Sequence, residues 1–278
     1  MRKLFILVIS LLLCVQSARA ALSGWSDANY VEHGSAAALD DMTVGALAFW
    51  CYTTSSTARQ VLWSKNTGGG ANSFTLAEQA TPSIFEWQKV RATTANSITA
   101  ALTNFSNYAI NKWIFVVVNF DTVTAANNTI WVGDASNPAG QPVSYSAQTA
   151  GSGALTTDAA NNWRVGRHAA ATGRQFVGSI GNHYAFSSIL AEGQIYELQW
   201  TGRVVGLTEL ISTQYGFGGA TGTQADWSGQ KNNGTVTGTP TVAAHVPMGP
   251  LFGFDDFIYQ EASTVTCPKT LLTLGVGC

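Results

Sequence analysis

Beyond residue 20 the sequence alternates between short apolar runs and polar segments rich in Gly, Asn, Ser and Thr. Apolar runs with many β-branched and aromatic residues, bounded by such segments, are typical of antiparallel strands. The pattern predicts strands at Tyr30–Glu32, Leu47–Thr53, Gln60–Lys65, Phe74–Glu78, Ile84–Arg91, Ile98–Leu102, Trp113–Asp121, Thr129–Gly133, Trp163–Gly166 and Gly178–Phe186.

The run Leu47–Thr53 carries apolar side chains at both alternating sets of positions. Successive strand residues point to opposite faces, so we expect this strand to be covered on both sides. The run Trp113–Val118 is nearly continuous in apolar character and predicts a second central strand.

Helix is predicted only at Ala191–Trp200, where Ile195, Leu198 and Gln199 share one face and Ser187 or Ser188 could provide the N-cap. The regular alternation of strand and helix that builds α/β folds is missing. The pattern therefore predicts an all-β protein, an antiparallel two-sheet sandwich with one short helix.

The first twenty residues have the order of a secretory signal peptide. Arg2 and Lys3 precede the apolar run Leu4–Val15, and Ala18–Ala20 forms a cleavage box. The run is shorter than the roughly 20 residues of a membrane-spanning helix, and no later run reaches that length. We expect residues 1–20 to be removed and the protein to be secreted, extracellular or on the cell surface. An uncleaved N-terminal anchor is the alternative.

Charge is scarce, with 11% of residues being Asp, Glu, Lys or Arg. Loss of Arg2, Lys3 and Arg19 with the signal would shift the formal net charge from -2 to -5. No basic patch is left to neutralise a phosphate backbone, so nucleic acid is not an expected partner.

Four cysteines occur, and Cys14 lies within the signal. Cys51 stands in an apolar run and is predicted to be a buried small hydrophobe. In an oxidising compartment Cys267 and Cys278 could close a small disulfide loop, the alternative being two free thiols. No Cys-x-x-Cys pair supports a zinc or redox site.

Several stretches together resemble the LamG-like jelly-roll domains of the concanavalin A-like lectin/glucanase superfamily. They follow the family's order: Asp27–Val31, Leu47–Cys51 with Gln60–Lys65, Asn111–Asp121, Trp163–Arg167, Phe176–Gly181 and Tyr184–Glu192. The resemblance implies a jelly-roll sandwich over residues 21–205. Residues 206–278 form a Gly/Thr-rich C-terminal segment that either packs on the sandwich or serves for attachment. Within it, Asp226–Thr235 is similar to a strand entry often found beside such domains.

In some members of the family, acidic residues bind calcium at the two positions that correspond to those after Ile180 of this chain. Here Gly181 and Asn182 occupy those places. Calcium prefers several oxygen ligands including carboxylates, and the sequence alone does not bring Asp27, Asp121, Asp134 and Asp158 together. Each of these aspartates is more often a turn residue than a metal ligand. Calcium binding therefore stays an open possibility. No other cofactor is expected.

Catalytic motifs are absent from the sequence. The compact Glu-x-Asp-x-x-Glu strand of the superfamily's glucanases does not occur, nor do metal-binding His-Glu-x-x-His or a Gly-x-Ser-x-Gly elbow. Glycoside hydrolysis needs two carboxyl groups, and Glu86 beside Trp87 is the strongest single candidate. The alternative for Glu86 is a solvated strand residue, and we expect no enzyme.

Nine tryptophans occur, and Trp50, Trp63, Trp113 and Trp131 lie in apolar runs and are predicted core residues. Trp87 and Trp227 have polar neighbours, so they are the predicted ligand-binding residues, a buried hinge role being the alternative. The resemblance implies a non-catalytic binding or adhesion module whose leading ligand class is carbohydrate. Two alternatives remain: a structural surface or virion decoration protein that contacts other proteins, and a glycoside hydrolase with unrecognised carboxylates.

Overall fold

The strands form at the predicted places. A computed structural model describes residues 20–55, 57–65, 74–80, 83–169, 171–213 and 219–244. In chain order the strands are Ala20–Ser23 (β1), Tyr30–Gly34 (β2), Val44–Thr53 (β3), Gln60–Lys65 (β4), Phe74–Ala80 (β5), Ser83–Lys89 (β6), Asn96–Ala101 (β7), Trp113–Asp121 (β8), Thr129–Asp134 (β9), Ala147–Thr149 (β10), Trp163–Val165 (β11), Gly178–Phe186 (β12), Glu209–Ser212 (β13), Thr223–Gln224 (β14), Gly234–Thr237 (β15) and Thr241–Ala244 (β16).

The strands build two sheets in which every strand pair is antiparallel. The seven-stranded sheet has the order β16-β1-β12-β3-β8-β9, and β13 also pairs with β12. The nine-stranded sheet has the order β10-β7-β6-β5-β4-β11-β2-β15-β14. Sequence neighbours are often separated in these orders, as in β1 beside β12 and β11 between β2 and β4. The chain therefore passes repeatedly between the two layers.

The main core lies between the sheets. Leu47, Phe49 and Cys51 of β3 belong to it, whereas Ala46, Ala48 and Trp50 enter a second buried cluster. The prediction that β3 is covered on both faces is confirmed. Cys51 is buried as expected.

The second cluster is closed by the helix Glu192–Thr201 (α1), which supplies Ile195 and Leu198. Its N-cap is Ala191 and not Ser187 or Ser188. The side chain of Gln194 reaches back to accept a hydrogen bond from the Ala191 N–H at 2.9 Å, which replaces a serine cap. The helix ends at Gly202, whose φ of 70° is the left-handed conformation that suits glycine.

The chain beyond residue 205 contributes strands to both sheets. β13 and β16 extend the seven-stranded sheet through β12 and β1, and β15 extends the nine-stranded sheet through β2. Of these, the sequence pattern indicated only the region of β15. Residues 1–19 and 245–278, including Cys267 and Cys278, lie outside the described residues.

Candidate functional site

The structure separates the two tryptophans predicted to bind a ligand. Trp87 is fully buried in the core and stacks on Phe120, with ring centroids 4.9 Å apart. The expectation that Trp87 lies on the surface is wrong. Glu86 and Gln88 are polar because they occupy the opposite face of β6, while Phe85 and Trp87 point inward.

Trp227 is 56% exposed and lies in the loop 225–233 between β14 and β15, which we call the Trp227 loop. Asp226 organises this loop from within. Its Oδ1 accepts hydrogen bonds from the N–H groups of Ser212 (2.8 Å) and Ser228 (2.9 Å). Its Oδ2 accepts from the Ser228 hydroxyl (2.7 Å) and the Asn232 N–H (2.9 Å). The Asp226 carboxylate thereby connects Ser228 and Asn232 of the loop to Ser212 at the end of β13.

Further bonds hold the loop against β13. The backbone N–H of Trp227 donates to the Ser212 carbonyl at 2.8 Å, and the Asn232 side-chain amide donates to the Leu210 carbonyl at 2.8 Å. The indole is thus carried by a backbone that is fixed on both sides. Such preorganisation lowers the entropy that binding must spend on ordering a side chain and its loop.

A buried chain of hydrogen bonds connects the Trp227 loop to both sheets. The Asn232 carbonyl accepts from Nδ1 of His33 at 2.8 Å, and Nε2 of His33 lies 2.8 Å from Nε2 of His183. The Thr213 hydroxyl lies 3.1 Å from Nδ1 of His183. Because a carbonyl only accepts, neutral His33 carries its hydrogen on Nδ1 and accepts at Nε2 from His183.

Burial lowers the pKa of His33 and lowers that of His183 well below its ordinary value. The positive charge of a protonated His33 would lower the pKa of His183 further, since the two rings are in contact. Both imidazoles are therefore neutral at pH 7. They support the loop from below and do not offer it a charge.

The rim of the Trp227 loop is polar. Gln230, Lys231 and Asn233 of this loop are exposed, and Lys231 adopts the left-handed backbone conformation with φ of 62°. The Asn233 side chain also accepts a hydrogen bond from the Asp226 N–H at 2.9 Å. A loop that carries an exposed apolar ring together with amides and an ammonium group can pack against a sugar face while bonding to hydroxyls.

A second polar surface runs across the nine-stranded sheet. One polar residue from each strand occupies successive cross-strand positions, in the order Thr149, Ser97, Gln88, Thr75, Ser64, Arg164, Glu32, Thr235 and Thr223. Ser64 is buried and donates to the Arg167 carbonyl at 2.9 Å. We call these nine residues the polar row, and sequence reasoning missed it because it exists only through strand register.

Each acidic candidate that the structure describes has a local partner. Glu86 bonds to Arg59 at 2.6 Å, which places its carboxylate in a partly buried ion pair and not in simple solvation. Asp121 and Asp134 cap their own turns, and hydrogen bonds there outweigh burial and lower the pKa of each.

Asp27 and Asp158 lie with basic side chains, the former 3.9 Å from Arg167 and the latter in contact with two lysines. Within the described ranges, no three His, Cys, Asp or Glu side chains form a group that could hold a metal ion. In the same part of the chain, no helix has the length and apolar character needed to cross a membrane.

Comparisons with known proteins bear on the fold. No protein-family model matches the sequence, and no curated protein matches it. A candidate carbohydrate-binding protein of Bacteroides ovatus has a similar structure, with a TM-score of 0.53 and 12% identity. The match covers 84% of this chain and 62% of that protein, so this chain corresponds to less than two thirds of its length. The chain has an antiparallel jelly-roll fold of two packed sheets.

Two further solved structures are similar to parts of this chain. Domains LG4–5 of the mouse laminin α1 chain match with a TM-score of 0.40 and 13% identity, over 60% of this chain and 41% of that one. The Ruminococcus gnavus sialidase CBM40 bound to α2,3-sialyllactose matches with a TM-score of 0.42 and 14% identity, over 65% and 98%.

Proposed function

We propose that this protein is a secreted, non-catalytic carbohydrate-binding module of LamG-like type, in which the Trp227 loop holds the sugar. The observation that carries the proposal is the 56% exposed indole of Trp227 on a loop fixed by Asp226. Tryptophan is among the residues that dominate binding hot spots, and an exposed tryptophan on a loop held by many hydrogen bonds offers a preorganised contact for a ligand.

The surface chemistry supports a neutral, hydroxyl-rich ligand. The rim of the loop supplies amides, and charge is scarce over the whole sequence. The candidate carbohydrate-binding protein of Bacteroides ovatus has a similar fold at 12% identity. The signal-like residues 1–20 support export.

The test is a glycan array on the purified protein, followed by titration calorimetry with the best glycan. We expect Trp227→Ala to weaken binding by about thirtyfold, the equivalent of the roughly 2 kcal/mol of a binding hot spot. The matched control is Val143→Ala, which removes another exposed apolar side chain, 87% exposed, and leaves binding unchanged.

A second variant separates the indole from its support. Asp226→Ala keeps Trp227 but removes the acceptor of four hydrogen bonds, so we expect weaker binding through a larger entropic cost. Loss of binding in Gln88→Ala but not in Trp227→Ala would move the site to the polar row. Self-assembly without any glycan binding would favour the structural alternative, and release of reducing sugar would favour a hydrolase.

A further inference from the structure

Two buried lysines, the buried Asp158 and the partly buried Asp40 form a charged cluster where β4 and β6 end. Lys65 and Lys89 are the last residues of β4 and β6, and both stand opposite Phe74 of the intervening β5. Lys65 is 1% exposed, and Lys89 and Asp158 are each 2% exposed. Lysine and aspartate side chains are almost never buried to this degree unless they are paired with an opposite charge.

The contacts within the cluster are specific. Nζ of Lys89 contacts Oδ2 of Asp158, and Nζ of Lys65 lies 2.7 Å from the other oxygen, Oδ1. Oδ1 also accepts the N–H of Asp41 at 2.9 Å. Lys65 contacts Asp40 as well. One oxygen of the Asp158 carboxyl therefore has two donors, and the other faces an amine.

We propose that Lys89 and Asp158 condense into an intramolecular isopeptide bond that links β6 to the loop before β11. A buried amine held against a carboxyl group has the positional advantage that makes an otherwise slow condensation intramolecular and feasible. Two donors at Oδ1 form the arrangement that stabilises a developing oxyanion.

The chemistry balances without a co-reactant. The Lys89 ammonium passes one proton to Oδ2 of Asp158, which leaves a neutral amine and a carboxylic acid. The amine lone pair forms the bond to Cγ, and the carbonyl electron pair moves to Oδ1, where Lys65 and the Asp41 N–H stabilise it. A second proton moves from the nitrogen to Oδ2, the Cγ–Oδ2 bond breaks, and one water molecule leaves.

Charge bookkeeping favours the product. Buried ions retain a large desolvation cost, and condensation removes one positive and one negative charge from the interior. Lys65 and Asp40 then remain as a balanced pair. Burial by itself would raise the pKa of Asp158, but Lys89 and Lys65 outweigh burial and lower it, so protonation of Asp158 at the start of the condensation is unfavourable. We expect the bond to form slowly after folding.

Intact-mass measurement of the purified full-length protein with its N-terminus determined is the test. We expect a mass lower by that of one water molecule, about 18 Da. Trypsin does not cleave after an acylated lysine, so digestion should yield residues 66–91 joined to residues 113–164. Joining of residues 60–89 to residues 113–164 would assign the bond to Lys65 and contradict the proposal.

Two variants complete the test. Lys89→Met should restore the full mass, whereas Lys112→Met, which removes a half-exposed lysine bonded to Asp134, should keep the deficit. A wild-type protein of full mass would overturn the inference, as would a deficit that persists in Lys89→Met, which indicates internal dehydration at an aspartate. If Lys89→Met does not fold, the wild-type mass and the joined peptide decide alone. None of these readouts depends on glycan binding.

Discussion

Nε2 of His33 lies 2.8 Å from Nε2 of His183, so a single hydrogen bond between imidazoles joins the two sheets inside the core. His33 belongs to β2 and His183 to β12. In this bond one ring donates and the other accepts. A protonated imidazole has no acceptor nitrogen, so the accepting ring must be neutral. The hydrogen bond therefore depends on at least one of the two histidines staying neutral, and burial favours the neutral form of both.

We predict that stability falls as the pH drops below about 6.5. His33, His183 and His168 have lowered pKa values in the folded protein, that of His168 falling to about 4 through burial and the charges of Arg174, Arg59 and Arg167. Below pH 6.5 these histidines are protonated in the unfolded chain but stay neutral in the folded protein. The free energy of unfolding therefore decreases as the pH falls from 6.5 toward the pKa of each histidine in the folded state. Each histidine contributes at most about 1.4 kcal/mol per pH unit.

Urea unfolding followed by tryptophan fluorescence between pH 7.5 and 4.5 measures this loss. Burial raises the pKa of Glu209, which works in the opposite direction above pH 4.5, but it is one group against three. A free energy of unfolding that stays constant over this range would contradict the neutral histidine pair.

The histidine pair should be energetically coupled. His183→Leu leaves Nε2 of His33 buried without its donor, and we expect a loss of about 2–4 kcal/mol from the unmet hydrogen bond and changed packing. Because replacing both partners by apolar residues removes the unsatisfied group, the double variant with His33→Leu should lose less than the sum of the single variants. Simple additivity in denaturant unfolding would show that the two rings act independently.

The two candidate tryptophans should respond oppositely to truncation. Trp87→Ala removes a buried ring stacked on Phe120, and we expect a loss of about 3–5 kcal/mol in the free energy of unfolding. Trp227→Ala removes a mainly exposed ring, and we expect a change within about 0.5 kcal/mol. Equal losses in chemical denaturation would mean that Trp227 is also a packing residue.

Gly178 marks a place where backbones approach closely. Its φ is 149°, and an added Cβ would lie 1.9 Å from the Tyr52 carbonyl oxygen of β3. Gly178→Ala should therefore push β12 away from β3 and cost more than about 1 kcal/mol. Gly173→Ala is a useful comparison, because its φ is also positive but nothing lies within 4 Å of the added atom. Thermal melts of the two variants separate backbone strain from collision.

Much of the sandwich followed from local patterning. Alternation and β-branched runs located ten of the strands, and the two-sided apolar run of β3 indicated both buried clusters. The sequence pattern did not predict β13 and β16. Each is four residues long, and each is stabilised by pairing with a strand that lies far away in sequence, β12 for β13 and β1 for β16. Short strands carry little local signal.

The exposed tryptophan illustrates a different gap. Polar neighbours on both sides of Trp87 suggested exposure, yet in a strand they indicate that Trp87 points the other way. For Trp227 the polar neighbours indicated exposure correctly, but the support from Asp226 could be read only from the folded chain.

The sequence by itself determined the class of fold, the central strands, the burial of Cys51 and the lack of familiar catalytic motifs, because these depend on side-chain periodicity and residue type along neighbouring positions. Tertiary structure alone decided that His33 meets His183, that Lys89 meets Asp158, and that nine strands place a polar residue in one row. The physical reason is that these contacts join residues far apart in the chain, whose proximity is set by strand register and sheet packing.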